Sequence, residues 1–290
     1  MTNVAFNIER ACRLFPSKLA LRFEGRDYTY QHLNKLVNRF ANSLRALEVQ
    51  RGDRVAIFLP NIPEFVIAYL AAQKIGAIGV SLNAMLKRDE VHFILEDSGA
   101  KVLITTATLR AQVPDDELPA LEHIVLAEGE AKSNGDLKME ALMEKASSEA
   151  WAVSMGRDDP AAIVYTSGTT GFPKGATLSH GNIISNAYSK LHYCGIKPDD
   201  RILLFLPLFH CFGQNAILNS ALLGCATVIL QRRFTVEHSL PAITREGISM
   251  FFGVPTLYIR LLNMDPRAYD FSPVRYFFSA AAILPEEIAQ

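Results

Sequence analysis

Short apolar runs alternate with longer stretches of helical spacing through the first half of the chain. The apolar runs that predict strands lie at 55–59, 78–82, 102–105 and 124–127. Two stretches with helical periodicity, 63–75 and 88–97, lie among them. Strands that are separated by a helix pair in parallel, because the helix carries the chain back across the sheet. The pattern therefore predicts an α/β fold of βαβ units, with mainly parallel sheets flanked by helices.

The residues before these units predict a hairpin and an amphipathic helix. Apolar runs at 19–23 and 28–30 flank the polar residues 24–27, a composition that is typical of a hairpin turn. Apolar residues then recur at helical spacing over 30–47, and Thr29 is in position to cap the N-terminus of that helix. A small β element therefore precedes the first long helix.

A polar connector divides the pattern into two parts. Residues 128–160 are richer in Glu, Lys, Ser and Asp and contain few strand signals. A helix over 180–194 is expected to end at Gly195. The strand pattern resumes at 161–165, 202–206, 226–230, 249–252 and 274–279. We therefore expect two α/β subdomains, residues 1–160 with the connector and residues 161–290.

Charge and cysteine content exclude several classes of function. The chain has 29 Lys and Arg against 30 Asp and Glu, and a net charge of −1 gives no long-range field that would attract nucleic acid or an anionic membrane. The four cysteines lack the spacing of a zinc site, and we interpret them as reduced, buried thiols of a cytoplasmic protein. The uncharged residues 202–231 contain Pro207, His210 and Asn219, which argue against a transmembrane segment. Residues 1–13 lack the apolar core of a secretion signal.

The segment 165–175 follows a predicted buried strand and is the most informative part of the chain. It contains three glycines, four Ser or Thr hydroxyls and one lysine. Glycine lets successive backbone N–H groups turn into one concavity, and the hydroxyls add donors for phosphate oxygens. Lys174 adds a mobile positive charge, and Pro173 restricts the backbone before it. This composition suits a loop that binds a polyphosphate.

The spacing of the loop residues argues against three other motifs. A Walker loop requires glycine before its lysine, and here Lys174 follows Pro173. The dinucleotide pattern G-x-G-x-x-G is absent, because Gly168 and Gly171 have no glycine partner at 166. Ser167 lacks both glycines of a hydrolase nucleophile elbow. A flexible surface turn remains the general alternative for such a loop.

The run 165–174 resembles the signature of the adenylate-forming superfamily, which includes acyl-CoA synthetases, luciferases and peptide-synthetase adenylation domains. The segments 178–182, 206–210 and 252–256 look like further blocks of that family in the same order. The resemblance implies the large N-terminal α/β domain of the adenylate-forming fold, truncated before the small C-terminal domain. It also implies that the β- and γ-phosphates of ATP are bound by Thr166, Ser167, Gly168, Thr169, Thr170, Gly171 and Lys174.

The same resemblance assigns roles to later segments. It implies that His210 orients the substrate acid, so that Lys174 and His210 are the candidate catalytic residues. The residues implied to line the acyl pocket are His210, Phe212, Gly213, Phe252, Gly253, Val254 and Thr256. Those implied to contact the adenine are Ser279, Ala280, Ala281 and Ala282. In this block Ala280 and Ile283 stand where the family commonly has Gly and Pro.

The activity that the resemblance implies is that of an acid–thiol ligase. ATP, with Mg²⁺, would convert a carboxylic acid into an acyl-adenylate, and CoA would then take the acyl group as a thioester. The apolar residues of 202–284 favour a medium- or long-chain fatty acid over an amino acid. Two alternatives remain open: loading of the phosphopantetheine of an acyl carrier protein in natural-product biosynthesis, and a catalytically incomplete nucleotide-binding fragment. No side chain is predicted to bind a metal ion, since Mg²⁺ is expected to arrive with ATP. The later motifs of the family have no match in this sequence, so the chain alone is expected to be incomplete for catalysis.

Overall fold

The computed structural model describes residues 2–114, 118–130, 135–166 and 173–289. Within those ranges the strands are β1 (Leu19–Phe23), β2 (Arg26–Thr29), β3 (Arg54–Ile57), β4 (Ile78–Ser81), β5 (Val102–Thr106), β6 (His123–Glu128), β7 (Leu137–Lys138), β8 (Pro160–Thr166), β9 (Lys174–Ser179), β10 (Arg201–Leu204), β11 (Thr227–Leu230), β12 (Met250–Gly253) and β13 (Tyr276–Ser279). The α-helices are α1 (Phe6–Leu14), α2 (Tyr30–Ala46), α3 (Pro63–Ile75), α4 (Arg88–Ser98), α5 (Met139–Lys145), α6 (His180–Cys194), α7 (Asn219–Leu223), α8 (Val236–Glu246), α9 (Pro255–Leu262) and α10 (Glu286–Ala289). A π-helix, Phe212–Leu218, leads directly into α7.

The first sheet has seven strands in the order β7-β6-β5-β3-β4-β8-β9. Its neighbours pair in parallel except for β8 and β9, which form an antiparallel hairpin. Helix α3 connects β3 to β4 and is buried along almost its whole length. This burial explains why its sequence is a nearly continuous apolar run. The predicted α/β architecture with a mainly parallel sheet is confirmed.

The second sheet has six strands in the order β13-β12-β10-β11-β1-β2. Strands β10 to β13 pair in parallel, β1 pairs in parallel with β11, and β1 and β2 form the antiparallel hairpin that the sequence predicts. Among the described residues, none of the helices combines the length and the apolar character that crossing a bilayer requires.

The two sheets exchange strands across residue 160, where the sequence suggests a boundary. Strand β8 begins at that residue, and β8 and β9 complete the first sheet, whereas β1 and β2 lie near the N-terminus and complete the second. Each sheet therefore needs strands from both parts of the chain. The division into residues 1–160 and 161–290 as two subdomains stays a prediction.

The caps of the helices follow from residue types that the sequence shows. The Thr29 side chain accepts a hydrogen bond from the His32 N–H and begins α2. Ser179 and Asn182 form a reciprocal capping box at the start of α6, and Gly195 ends that helix in the left-handed conformation, at φ 60°. Strand β9 was not anticipated, because its residues are mostly exposed and lack an apolar alternation.

Three buried amide side chains connect the residues that follow β10 to the first sheet and its helix α3. The Asn61 amide donates to the Leu206 carbonyl at 2.9 Å and its carbonyl accepts from the Leu208 N–H at 2.8 Å. Gln214 donates to Ser81 Oγ at 2.9 Å, and Asn219 donates to the Tyr69 hydroxyl at 3.0 Å. The segment that carries residues 206–219 is thereby fixed against β3, β4 and α3.

Gly213 lets the π-helix begin against the preceding loop. A Cβ atom at this position would lie 2.3 Å from the Pro207 carbonyl oxygen and 2.9 Å from that of Leu206, and both obstacles are backbone. Because neither oxygen is the flexible end of a side chain, only a backbone shift would relieve the contact. Glycine is therefore required here by space.

The N-terminal segment is anchored to α3 and α6. The Asn3 amide donates to the Gln73 carbonyl at 2.8 Å, and Lys74 pairs with Glu9 at 2.7 Å. The Val4 N–H donates to Nδ1 of His180, which is fully buried, so this ring is held in the neutral state. Burial lowers the pKa of His180 to about 4, despite the nearby carboxylate of Asp159.

We expect His180 to make stability depend on pH. Its folded-state pKa lies below the value of about 6.5 in an unfolded chain, so the unfolded state binds more protons and stability falls as the pH drops from 6.5 towards 4. Between pH 7.5 and pH 5 the loss should be about 2 kcal/mol. His180→Asn, which keeps an acceptor for Val4, should flatten this dependence in urea unfolding followed by circular dichroism. His192→Asn, at an exposed position on the same helix, is the control, and an equal pH dependence in His180→Asn would contradict the assignment.

Gly213→Ala should destabilise the fold by about 1–3 kcal/mol, since the added methyl group meets backbone oxygens. Gly135→Ala is the matched control, because a Cβ atom there has no neighbour within 4 Å. Urea denaturation of both variants measures the difference. Equal urea midpoints for the two variants would show that the backbone around Pro207 shifts at little cost in stability.

Candidate active site

The β8–β9 hairpin presents both described ends of the predicted phosphate loop at the carboxyl edge of the first sheet. Thr166, at the end of β8, pairs with Lys174, at the start of β9, and both residues are exposed. One position earlier the Tyr165 hydroxyl donates to Asp97 at 2.5 Å, which ties β8 to α4. Parallel α/β sheets bind their ligands at this edge, so the hairpin lies where a nucleotide would be expected.

The register of the hairpin closes the loop at its base. Thr166 and Lys174 are direct partners in the antiparallel ladder, which brings their Cα atoms to about 4.5–5.5 Å. The other residues that are predicted to bind phosphate, Ser167, Gly168, Thr169, Thr170 and Gly171, lie outside the described residues. Their contacts with ATP therefore stay a prediction.

A cavity of about 600 Å³ opens beside the hairpin. We call it the α6 cavity; its walls come from the end of β9, one face of α6, the segment 210–216 and the residues after β13. Four predicted site residues line it, namely His210, Phe212, Ala280 and Ala281. The size and the largely apolar walls suit a small organic acid.

His210 lies at the wall of the α6 cavity and is exposed. Its Nδ1 atom accepts a hydrogen bond from the Phe212 N–H at 3.2 Å, so the neutral ring carries its proton on Nε2. The Nε2–H group is therefore available as a donor to an acid in the cavity. The role of orienting a carboxylate stays a prediction.

Cys211 forms a pair with His210 at the same wall. The Sγ atom of Cys211 lies 3.7 Å from Nδ1 of His210, and this contact lowers the pKa of the thiol and raises the pKa of the imidazole. The expectation that all four cysteines are buried is wrong for Cys211, which is exposed, because the tight loop before the π-helix turns it outward. Cys194 and Cys225 are buried as expected, and Cys12 is half-buried.

The π-helix places a second set of side chains on the α6 cavity. Wide π turns are uncommon and are found mostly at functional sites, where they re-aim side chains. Here the turn directs Asn215 and Ala216 into the cavity wall, while Gln214 stays buried against Ser81. Asn215 was not identified from the sequence, since its neighbours are apolar.

The block after β13 forms the remaining wall. Ala281 has φ 72°, a left-handed conformation that costs a non-glycine residue energy. The Ala280 N–H donates to the Gly253 carbonyl at 3.3 Å, and Ala280 and Ala281 line the cavity. Ser279 and Ala282 do not line it among the described residues, and the hydroxyl of Ser279 is buried without a partner there. Adenine binding by this block stays a prediction.

Five residues that are predicted for the acyl pocket lie outside the α6 cavity wall: Gly213, Phe252, Gly253, Val254 and Thr256. Phe252 is buried in β12, where its ring lies 5.6 Å from that of Phe278. Gly253 packs under Leu257 and Tyr258, and Thr256 is exposed on α9. Phe252 and Gly253 pair with strand β13, and the contact of all five residues with a substrate stays a prediction.

Helix α6 contributes wall residues that the sequence pattern did not identify. Asn182, Asn186 and Lys190 line the α6 cavity from successive turns of that helix. Their spacing of four residues places them on one helical face, a signal that the sequence does contain. The signal is ambiguous, however, because polar residues on one face usually mark the solvent side of a helix.

A second cavity of about 640 Å³ lies away from the hairpin, between α8 and the β1–β2 turn. Two of its arginines are already paired, Arg22 with Asp27 and Glu246, and Arg232 with Glu24 and Glu128, as the ion pairs show. This larger cavity contains none of the predicted site residues.

Across the described ranges, no group of three or more His, Cys, Asp or Glu side chains could hold a metal ion.

Comparison with known proteins places this chain in a family. The family model of AMP-binding enzymes matches residues 8–290. The chain is 35% identical over 282 residues to a feruloyl-CoA synthase of Amycolatopsis sp, covering 97% of this chain and 54% of that protein. It is 34% identical over 266 residues to the long-chain-fatty-acid–CoA ligase FadD13 of Mycobacterium tuberculosis, covering 90% of this chain and 51% of that protein. The chain thus spans about half the length of the curated relatives that it matches.

Solved structures share the architecture. The anthranilate CoA ligase AuaEII, in complex with anthranoyl-AMP, matches with a TM-score of 0.90 and 28% identity, over 99% of this chain and 56% of that one. The N-terminal domain of FACL13 from Mycobacterium tuberculosis matches with a TM-score of 0.90 and 29% identity, over 99% of this chain and 72% of that one. The fold is therefore that of the N-terminal domain of adenylate-forming enzymes. Together with the family match over residues 8–290, this shows that the chain belongs to the family of AMP-binding enzymes.

Proposed function

We propose that this chain forms the nucleotide- and acid-binding part of an enzyme that uses ATP to activate a carboxylic acid and transfers the acyl group to CoA. The observation that carries the proposal is the α6 cavity, in which His210, Ala280 and Ala281 come together beside the β8–β9 hairpin. A site for an acid and a site for a polyphosphate are thereby adjacent. That is the arrangement that adenylation requires.

The reaction has two steps. A carboxylate oxygen of the acid attacks the α-phosphorus of ATP, the bond to the bridging oxygen breaks, and pyrophosphate leaves. If Mg²⁺ arrived with ATP, it would supply further positive charge for the phosphate oxygens. The CoA thiolate then attacks the acyl carbon, AMP leaves, and a thioester forms. Lys174, at the base of the loop, supplies positive charge for the phosphates, and the Nε2–H group of His210 holds the acid in position.

We further propose that the acid has a largely apolar body. Ile183, Phe212 and Ala216 contribute apolar surface to the α6 cavity, which supports a medium- or long-chain fatty acid as a substrate class. The printed names of the relatives cover both a feruloyl and a long-chain fatty acid substrate, so an aryl acid of similar size is the second class to test. We also propose that the enzyme is cytoplasmic.

We propose CoA as the acceptor of the acyl group. The relatives described above are named as CoA synthases or ligases, which supports CoA over the phosphopantetheine of an acyl carrier protein. Supplying each acceptor in turn to the full-length protein, after ATP and an acid, distinguishes the two. Thioester formation with the carrier protein alone would reverse this part of the proposal.

Lys174→Ala should slow ATP–pyrophosphate exchange by about 10- to 100-fold in the full-length protein, because one charge on the phosphates is lost. Acid binding should change less than about twofold, since Lys174 serves the nucleotide. Lys174→Arg should retain part of the rate, and Lys35→Ala, at an exposed position on α2, is the control. Unchanged exchange in Lys174→Ala would contradict the role of the hairpin.

Cys211 provides a direct probe of the α6 cavity. Because it is exposed and its thiol pKa is lowered by His210, iodoacetamide at pH 7.5 should alkylate Cys211 faster than the buried Cys194 and Cys225. A bound acid should slow that alkylation, as measured by peptide mass spectrometry. Cys12, which does not line the cavity, should react at the same rate with and without the acid. Protection of both cysteines, or of neither by any acid tested, would show that the cavity is not the acid site.

A further inference from the structure

Helix α6 turns a row of polar side chains towards the α6 cavity. Asn182, Asn186 and Lys190 lie four residues apart on one helical face, and all three line the cavity. With a rise of 1.5 Å per residue, the row is about 12 Å long. Other wall residues, such as Phe212 and Ala216, are apolar. The cavity therefore combines an apolar surface with a row of polar side chains. The length of this row is similar to that of a small acid.

The polar groups of the cavity are mainly donors. The Asn182 carbonyl oxygen already accepts from the Ser179 N–H at 2.9 Å, which leaves its amide to donate. Asn215 is only 5% exposed, and its carbonyl oxygen accepts from Asn219 at 3.4 Å, so its amide is likewise left as a donor. None of the described lining residues is an Asp or a Glu. A ligand with acceptor or anionic groups matches this wall, and a cationic ligand does not.

Lys190 is the charged member of the row. Its ammonium group lies 3.8 Å from the centroid of the Phe278 ring, and the residue is half-buried. In the described part of the chain it has no carboxylate partner at ion-pair distance. A half-buried ammonium that has only an aromatic ring as a partner gains energy from an anion that enters beside it. The ammonium group of Lys190 can therefore pair with a second anionic group of the ligand, while the reacting carboxylate lies at His210.

We propose that Lys190 is a specificity residue that selects acids with a second anionic group remote from the reacting carboxylate. The inference rests on the proposed role of the α6 cavity as the acid site. A dicarboxylate places one carboxylate at His210 and the other at Lys190, with its apolar chain along Phe212. Lys190 makes and breaks no bond, and it acts on acid discrimination through charge pairing.

The test compares matched acids in the full-length protein by ATP–pyrophosphate exchange and by calorimetric binding. The pairs are octanoate with octanedioate, and 3-phenylpropanoate with its 4-carboxy derivative. The wild type should prefer the dianion in at least one pair, and Lys190→Met should reduce that preference about tenfold while it leaves the monoanion largely unchanged. Lys190→Glu should instead favour 8-aminooctanoate over octanedioate. Lys197→Met, at an exposed position after α6, is the control.

The outcomes separate this inference from the proposed function. If none of these acids binds or supports exchange, the assignment of the cavity as an acid site fails. If acids are activated but the dianion preference is absent in the wild type, or is the same in Lys190→Met, only the specificity role fails. An equal loss for both members of a pair would show that Lys190 holds the reacting carboxylate, which also overturns the proposal.

Discussion

The contact between the carboxyl ends of the two sheets is the constraint on which the rest of the structure depends. The fully paired Asn61 amide, after β3 in the first sheet, holds the backbone of Leu206 and Leu208, after β10 in the second. Such a buried amide costs energy unless its partners are in place, so it fixes one relative position of the two sheets. The loop that carries His210 starts from this fixed point, and the α6 cavity is defined by it.

Several segments of unusual backbone conformation lie around that cavity. Gly213 is pressed against the Pro207 carbonyl, the chain continues as a π-helix, and Ala281 adopts a left-handed conformation. Strained or unusual backbone of this kind persists only where the surroundings determine it, and it concentrates at functional sites. The stable parallel strands on either side supply that support. The site is thus formed where two rigid frameworks meet, and it draws side chains from both.

Much of the local structure could be predicted from residue patterns. Thr29, Gly195 and the apolar runs predicted α2, the end of α6 and the parallel strands closely, because caps and periodicity are properties of neighbouring residues. Strand β9 was missed because its exposed residues carry no alternation, and it forms through pairing with β8. Cys211 was expected to be buried, and only the turn into the π-helix shows that it is exposed. Such outcomes depend on contacts between distant segments.

The candidate site divides in the same way. By itself the sequence determined the class of fold, the family signature around Lys174 and the choice of His210, since these depend on short runs of residues. Only the tertiary structure decided that β8 and β9 complete the first sheet, while β1 and β2 complete the second. It also decided that Lys190 shares a cavity with His210 and Ala281. The physical reason is that a helical face can be turned to solvent or to a cavity, and only packing against other elements settles which.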